Sequence, residues 1–140
     1  MALIDTNLLI YIFDAANPRK RGICRKIAED CFRGRSRYSV SVQNLSEFFV
    51  GVTEKVQNPV PGEVARSFVE LIVEFDGWEV IPIDGRTVER AIEIRRDYSI
   101  HYWDALLASA MEGTGQRKIL TENEGDFRRI PWLEVENPLK

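Results

Sequence analysis

Ala2-Leu3-Ile4-Asp5-Thr6-Asn7-Leu8-Leu9-Ile10 is the stretch that decides the fold of this 140-residue chain. A short apolar run ends in one carboxylate and two small polar residues, after which apolar residues return at helical spacing. This pattern predicts a buried strand followed directly by a helix, which Thr6 or Asn7 can cap. Asp5 is therefore predicted at the C-terminal end of a central strand, where open α/β sheets gather their ligands.

The composition is typical of one soluble globular domain spanning residues 1–140. Apolar residues make up 44% of the chain and charged residues 29%, which argues against disorder. No apolar run approaches the roughly 20 residues of a membrane-spanning helix. No positive region precedes the first apolar run, so we expect no secretory signal and a cytoplasmic location. Cys24 and Cys31 lie seven positions apart on one predicted helix, about 10 Å along its axis, which is too far for a disulfide.

The formal net charge of −3 is unevenly distributed. Residues 19–37 contain eight Arg or Lys residues and two acids, a balance of +6, which leaves −9 on the remainder. A basic segment in an acidic protein fits a polyanionic ligand or an acidic partner. It also fits a solvated helix face and loop, and composition alone favours that interpretation.

Strands and helices alternate along the rest of the chain. Apolar spacing predicts helices within residues 8–14, 19–32, 45–56, 64–75 and 86–97, and a last helix that Ser99 caps and that runs to Met111. Alternating or β-branched runs predict strands at residues 38–42, 78–83 and 118–121, with a weak fifth strand at 133–135. This alternation implies parallel pairing and right-handed crossovers. The predicted fold is a three-layer α/β/α sandwich around a mainly parallel sheet of four to five strands.

Four carboxylates lie where an acid is unfavourable. Asp5 follows an apolar strand, and Glu47 lies one turn into the helix after the second strand. Asp104 is surrounded by residues that favour burial, and Asp126 follows the fourth strand. Taken singly, Asp5 fits a helix N-terminal acid, Glu47 a surface position and Asp126 a loop, whereas only Asp104 favours a function, because buried acids are costly unless paired.

The predicted fold brings these four acids together. Three of them lie just beyond the C-terminal end of a strand, and Asp104 falls early in the helix that leads into the fourth strand. In a doubly wound sheet these places meet at the switch point. Carboxylates so close do not all ionise without a cation, so the cluster predicts bound Mg²⁺ or Mn²⁺. Such a centre is equipped for metal-assisted hydrolysis of phosphodiester bonds.

Four motifs in register resemble the PIN domain, and more narrowly the VapC-type toxins of prokaryotic toxin–antitoxin pairs. They are Asp5-Thr6-Asn7, Ser46-Glu47-Phe48, Trp103-Asp104-Ala105-Leu106-Leu107-Ala108 and Thr121-x-Asn123-x-x-Asp126-Phe127. The resemblance covers essentially the whole chain. It implies a Mg²⁺- or Mn²⁺-dependent single-strand ribonuclease.

The resemblance also implies roles for individual residues. The acidic pocket would be formed by Asp5, Glu47, Asp104 and Asp126, with Asp5 and Asp104 as the principal metal ligands. Glu47, assisted by Asp126, would position the attacking water or act as general base. The residues that would orient carboxylates or the scissile phosphate are Thr6, Asn7 and Thr121.

Asn123 is a departure from the family pattern, because many relatives carry a carboxylate at this place, two residues after the threonine. Either Asp126 supplies the fourth acid, or the site works with three acids and an amide. We expect one tightly held ion, since the lower charge weakens a second metal. His101, the only histidine, is expected to be structural or to line the substrate.

Alternative functions explain the sequence less well or stay open. A phosphoacceptor receiver domain would need a lysine after the late strand, and a haloacid-type phosphatase would need an aspartate at Asn7. A PIN fold that processes RNA without an antitoxin stays open, as does a catalytically degenerate PIN module that only binds RNA or protein.

The resemblance implies three partners: RNA, a cognate antitoxin and a second copy of the chain in a homodimer. The aromatic residues available for a groove or a dimer face are Phe48, Phe49, Phe68 and Phe75, although their helical spacing favours the core. Residues 19–37 have three candidate roles, which are steering RNA, meeting acidic antitoxin residues, or neither. The first role predicts that charge reversal at Arg33, Arg35 and Arg37 weakens RNA binding and flattens its salt dependence.

Overall fold

A five-stranded parallel sheet with helices on both faces forms the centre of the protein, which a computed structural model describes over residues 1–140. The strands are β1 (Ala2–Ile4), β2 (Tyr38–Ser41), β3 (Trp78–Ile81), β4 (Lys118–Leu120) and β5 (Glu134–Glu136). Their order is β3-β2-β1-β4-β5, and every neighbouring pair is parallel. The predicted α/β/α sandwich is confirmed.

Seven α-helices connect and cover the strands. They are α1 (Thr6–Tyr11), α2 (Pro18–Phe32), α3 (Val42–Val50), α4 (Gly62–Glu74), α5 (Gly85–Tyr98), α6 (Tyr102–Gly113) and α7 (Glu124–Phe127). Helix α3 continues into a π-helical turn over Gly51–Lys55. Gly51 lies against the side chain of Ile10, where a Cβ atom would collide. None of the helices combines the length and the apolar character needed to span a membrane.

Alternating side chains along β1 divide the core into two halves. Ala2 and Ile4 pack on the face covered by α1 to α4, while Leu3 packs on the opposite face with α5 and α6. Successive side chains of a strand point to opposite faces, and a central parallel strand is buried on both. The backbone after Ile4 is therefore fixed from both sides, which gives Asp5 a defined position.

The switch point of the sheet lies between β1 and β4. The chain steps from β1 to β2 to β3 in one direction, and α5 and α6 then carry it back to β4 on the other side of β1. The Asp5 N–H donates to the Leu120 carbonyl at 3.0 Å, which extends the ladder by one residue. Asp5 and Thr121 are thus held side by side at the C-terminal edge of the sheet.

Two helix caps differ from the sequence prediction. Asp5 itself caps α1, because its carboxylate accepts the Thr6 N–H at 2.8 Å. Ser99 does not cap α6. It ends α5 in the left-handed conformation with φ 54°, and its N–H closes onto the Arg95 carbonyl at 2.9 Å. His101 takes the N-cap position of α6 instead.

The candidate aromatic groove residues belong mostly to the core. Phe48 and Phe68 are buried with ring centroids 5.3 Å apart, and Phe75 packs against the same cluster. Phe49 alone of the four is exposed. Cys24 and Cys31 are free, buried thiols of α2.

The basic segment of residues 19–37 lies in α2 and the turn that leads into β2. Arg33, Arg35 and Arg37 precede the first residue of β2 and therefore lie at the N-terminal edge of the sheet, opposite Asp5. Arg33 pairs with Glu29 at 2.8 Å, and Arg35 lies 3.6 Å from Asp30. These local contacts and this position favour a structural role over contact with RNA at the acidic edge.

Candidate active site

Asp5 is held at the switch point by three donors. One carboxylate oxygen accepts the Thr6 N–H at 2.8 Å, and the other accepts the Thr121 hydroxyl at 2.7 Å and, more distantly, the Asn7 amide at 3.4 Å. Burial raises the pKa of Asp5. The hydrogen bonds from Thr121 and Thr6 oppose this rise, and the charge of Glu47 adds to it. A carboxylate has about four lone-pair sites, so Asp5 retains room for one further ligand.

Glu47 is connected to Asp5 through Thr6. The Thr6 hydroxyl donates to a Glu47 carboxylate oxygen at 2.9 Å and accepts the Asn44 amide at 2.9 Å. Asn44 also closes a reciprocal capping box with Ser41 at the start of α3. The end of β2 thereby determines where Glu47 lies, and the exposed side chain of Glu47 stands at the solvent side of the site.

Asp104 and Asp126 form a second carboxylate group, completed by His101. One ligand atom from each of these three residues lies within 4.8 Å of the others. The His101 N–H donates to an Asp126 oxygen at 2.9 Å, and its ring Nδ1 lies 2.7 Å from the same oxygen. His101 thus contacts the predicted acidic pocket directly.

The two carboxyl groups of this pair differ in pKa. Burial, the hydrogen bond to Asp126 and the charges of Asp126 and Asp5 raise the pKa of Asp104 to about 7. Partial burial also acts on Asp126, but the hydrogen bonds from His101 prevail and hold the pKa of Asp126 below its usual range. Asp104 is therefore the member of the pair that carries a proton near neutral pH.

Negative charge at the switch point is left largely uncompensated. His101 is the only basic side chain within ion-pair distance of the four predicted acids. The neighbouring acids are neutralised, because Glu122 pairs with Lys20 at 2.6 Å and Glu124 with Lys140 at 2.9 Å. A set of carboxylate oxygens without a cation is the kind of donor set that Mg²⁺ and Mn²⁺ prefer.

All predicted site residues lie at this edge of the sheet, but not all of them contribute a side chain to the acidic group. Asn123 contributes its backbone N–H, which donates to the Thr121 hydroxyl at 3.0 Å, while its exposed side chain makes no hydrogen bond to an acid. Asp126 is the residue that meets Asp104. Of the two sequence alternatives, the geometry favours Asp126 as the fourth acid.

Asn44 is the site residue that the sequence prediction missed. Its side chain is fully buried and joins the capping box of α3 to Thr6. The sequence signal for this role is Ser41-x-x-Asn44 at the end of the second strand. A capping box consists of a hydroxyl residue at the N-cap and, three positions later, a polar side chain that bonds to the N-cap backbone N–H.

Replacing Asn44 with Ala is expected to lower the free energy of unfolding by about 1–3 kcal/mol, because the buried Ser41 N–H loses its acceptor. Urea denaturation measures the change. Ser46→Ala is the matched control, since this exposed hydroxyl of the same helix bonds only to the Val42 carbonyl. Equal stability of the Asn44 variant and the control would contradict the structural role of the box.

The fold and the site place this protein in the class of parallel α/β/α proteins that carry an acidic site at the switch point of the sheet. Within that class, the chain belongs to the PIN domain family, whose model matches residues 2–133. The family predicted from the four sequence motifs is confirmed.

Solved structures with the same fold include proteins of toxin–antitoxin systems. A chain of a toxin–antitoxin complex from Klebsiella pneumoniae is 22% identical with a TM-score of 0.69, over 99% of this chain and 98% of that one. VapC20 from Mycobacterium tuberculosis, described as a sarcin–ricin loop cleaving toxin, is 16% identical with a TM-score of 0.71, over 98% and 100%. A chain of VapBC2 from Rickettsia felis, bound to a promoter DNA fragment, is 20% identical with a TM-score of 0.66, over 97% of both. At these identities the likeness shows a common fold. No curated protein matches the sequence significantly.

Proposed function

We propose that this protein is a metal-dependent endoribonuclease that hydrolyses single-stranded RNA and acts as the toxin of a type II toxin–antitoxin pair. The observation that carries the nuclease proposal is the uncompensated group of Asp5, Glu47, Asp104 and Asp126 at the switch point of a PIN fold. Similarity in fold to VapC20 and to toxin–antitoxin complexes supports the toxin role. A cognate antitoxin and a homodimer follow as proposed partners.

The donor set fits one Mg²⁺ or Mn²⁺ ion. Asp5 and Asp104 would hold it, with Glu47 and Asp126 on either side. When bound, the ion supplies positive charge for the scissile phosphate and lowers the pKa of a coordinated water.

The chain's own residues would orient these groups and move protons. Thr6 and Thr121 fix the Asp5 carboxylate through their hydrogen bonds. Glu47 is held by Thr6 at one oxygen only, so its other oxygen is available to accept a proton from the attacking water. His101 holds Asp126 in place beside Asp104.

Hydrolysis by a cysteine nucleophile does not fit the structure. Both cysteines lie in α2 and are buried. Burial, with a smaller contribution from the charge of Glu122, raises the pKa of Cys24 to about 12, so this thiol stays protonated. The proposed hydrolysis therefore relies on the carboxylates at the acidic edge of the sheet and not on a thiol.

A metal titration tests the proposal. Mn²⁺ or Mg²⁺ at a hundred times its Kd is expected to stabilise the folded state by about 2.7 kcal/mol, which for a chain of this length raises the Tm by roughly 9 °C. The same ions should start cleavage of an unstructured RNA that is stable in EDTA. Thermal unfolding followed by circular dichroism and a gel assay of RNA provide the measurements. If neither Mn²⁺ nor Mg²⁺ changes the Tm of the protein or starts cleavage of the RNA, the proposal is refuted.

A further inference from the structure

A cleft of about 930 Å³ opens beside the Asp104–Asp126 pair, where the end of α5, the link to α6 and the residues after α7 meet. His101 and Asp126 form part of its wall, so the cleft is continuous with the candidate active site. The rest of the wall includes one tryptophan and three arginines, which are Trp103, Arg95, Arg96 and Arg129.

Trp103 is a large apolar side chain in an exposed position. The residue is 62% exposed, although it directly precedes Asp104. The Tyr102 ring packs edge-on against the indole at 5.2 Å, and the Gln43 amide donates to the Trp103 carbonyl at 3.0 Å. The indole is thus anchored while much of its surface stays open. An anchored aromatic ring with an open face is the platform on which single-stranded nucleic acids stack their bases.

The arginines of the cleft are available for an anionic ligand. Arg95 has no carboxylate within ion-pair distance and no side-chain hydrogen bond. Arg129 contacts only the Ser99 carbonyl, at 2.9 Å, and Arg96 only its neighbour Asp97, at 3.0 Å. A guanidinium group presents several donors in a planar fork that matches phosphate oxygens. Next to an acidic centre in a chain of net charge −3, these cations mark a local site for a polyanion.

We infer that this cleft is the subsite for the nucleotides that flank the scissile phosphate of a single-stranded RNA. Trp103 stacks on an unpaired base, and Arg95 and Arg96 bind the phosphates next to it. One exposed aromatic face beside three cations matches an RNA base with its neighbouring phosphates. A base inside a duplex has both faces covered by its stacked neighbours, so the subsite selects unpaired RNA. This inference rests on the proposed function, because only cleavage at the acids requires the bound RNA strand to continue from the cleft to the acidic site.

Tryptophan fluorescence tests the stacking. An unstructured oligouridylate titrated in EDTA, where hydrolysis is off, is expected to quench the emission of the wild-type protein. Trp103→Phe should lose the quenching and keep the affinity within a few-fold, whereas Trp103→Ala should bind about tenfold more weakly. Trp132→Phe is the matched control, because Trp132 is half-buried outside this cleft. It should keep both the quenching and the affinity.

Charge reversal tests the binding of phosphate by the arginines. Arg95→Glu is expected to weaken binding at low salt at least tenfold and to reduce the slope of log Kd against log salt by about 0.7 for each phosphate that the variant no longer binds. Arg35→Glu makes the same change of charge at the opposite edge of the sheet and should leave both quantities unchanged. A blunt-ended RNA duplex without a loop should compete poorly with the oligouridylate.

The outcomes separate this inference from the proposed function. If the wild-type protein cleaves RNA with metal and the Trp103→Ala and Arg95→Glu variants bind and cleave like it, the subsite is refuted and the nuclease stands. If RNA binds through Trp103 and Arg95 but no metal supports cleavage, the nuclease is refuted, and the cleft stands as a binding site for single-stranded RNA without a scissile phosphate. Equal weakening by Arg35→Glu would also refute the subsite.

Discussion

Asp5→Asn is expected to reduce RNA cleavage by roughly 10³-fold or more. The amide removes the negative charge at the centre of the acid group, and metal-dependent charge stabilisation contributes several kcal/mol at about 1.4 kcal/mol per tenfold in rate. The variant should still fold, because the amide oxygen can accept the Thr6 N–H, while the amide NH2 can donate to the Thr121 hydroxyl oxygen after that hydroxyl rotates its proton away. Initial rates on an unstructured RNA, together with a far-UV circular dichroism spectrum, give the measurement.

Glu122→Gln is the matched control for this variant. Glu122 directly follows Thr121, yet it is turned away into contacts with Lys20 at 2.6 Å and Tyr11 at 2.5 Å. Its replacement removes one negative charge from the same edge of the sheet and should leave cleavage intact. Asp5→Asn should also lose the rise in Tm with Mn²⁺, and Glu122→Gln should keep it. Wild-type cleavage by the Asp5 variant would refute the assignment of the site.

The metal-free protein is expected to lose stability as the pH rises from about 4.5 to about 7. The pKa of Asp104 moves from 3.8 to about 7 on folding, so the folded state holds more protons than the unfolded state in this window. The free energy of unfolding falls with pH wherever that holds. The acids whose pKa is lowered act below this window; they are Asp30, Asp84, Glu122, Glu124 and Asp126. Because Asp104 is partly exposed and shares its surroundings with Asp126, we expect a loss of roughly 2 kcal/mol.

Urea denaturation at a series of pH values in EDTA measures this loss. Asp104→Asn should flatten the decline and be more stable than the wild type at pH 8. Asp97→Asn removes an exposed acid of α5 that pairs only with Arg96 and should leave the slope unchanged. Mn²⁺ should restore stability most strongly above pH 7, where Asp104 is ionised. A metal-free wild type whose stability is constant from pH 4.5 to 8 would contradict the raised pKa of Asp104.

The sheet and the acid positions were predictable because each depends on local pattern plus a general rule. The apolar run before Asp5 and the alternation of strands with helices give a parallel sheet, and the ends of parallel strands meet at one edge. Even the weak fifth strand forms, since β5 needs only one neighbour, β4. Each acid could therefore be placed without knowledge of its side-chain partners.

The details of the site depended on contacts between distant residues, which spacing does not encode. The role of His101 follows from the left-handed turn at Ser99, which moves the start of α6 and brings His101 to Asp126. Asn44 acts through Thr6, 38 positions away in the sequence. The basic segment was conspicuous in composition, but the direction of α2 carries its last three arginines to the opposite edge of the sheet.

The hydrogen bond between Thr121 and Asp5 joins residues 116 positions apart, and this separation sets the order of events during synthesis. A nascent chain of the first hundred residues contains Asp5 and Glu47 but lacks β4, and with it the hydroxyl that orients Asp5. Pairing of strands that are distant in sequence is also among the slower steps of folding. The acidic edge is therefore completed only after residues 118–126 have left the ribosome, so a ribonuclease built on this topology would be inactive before that point.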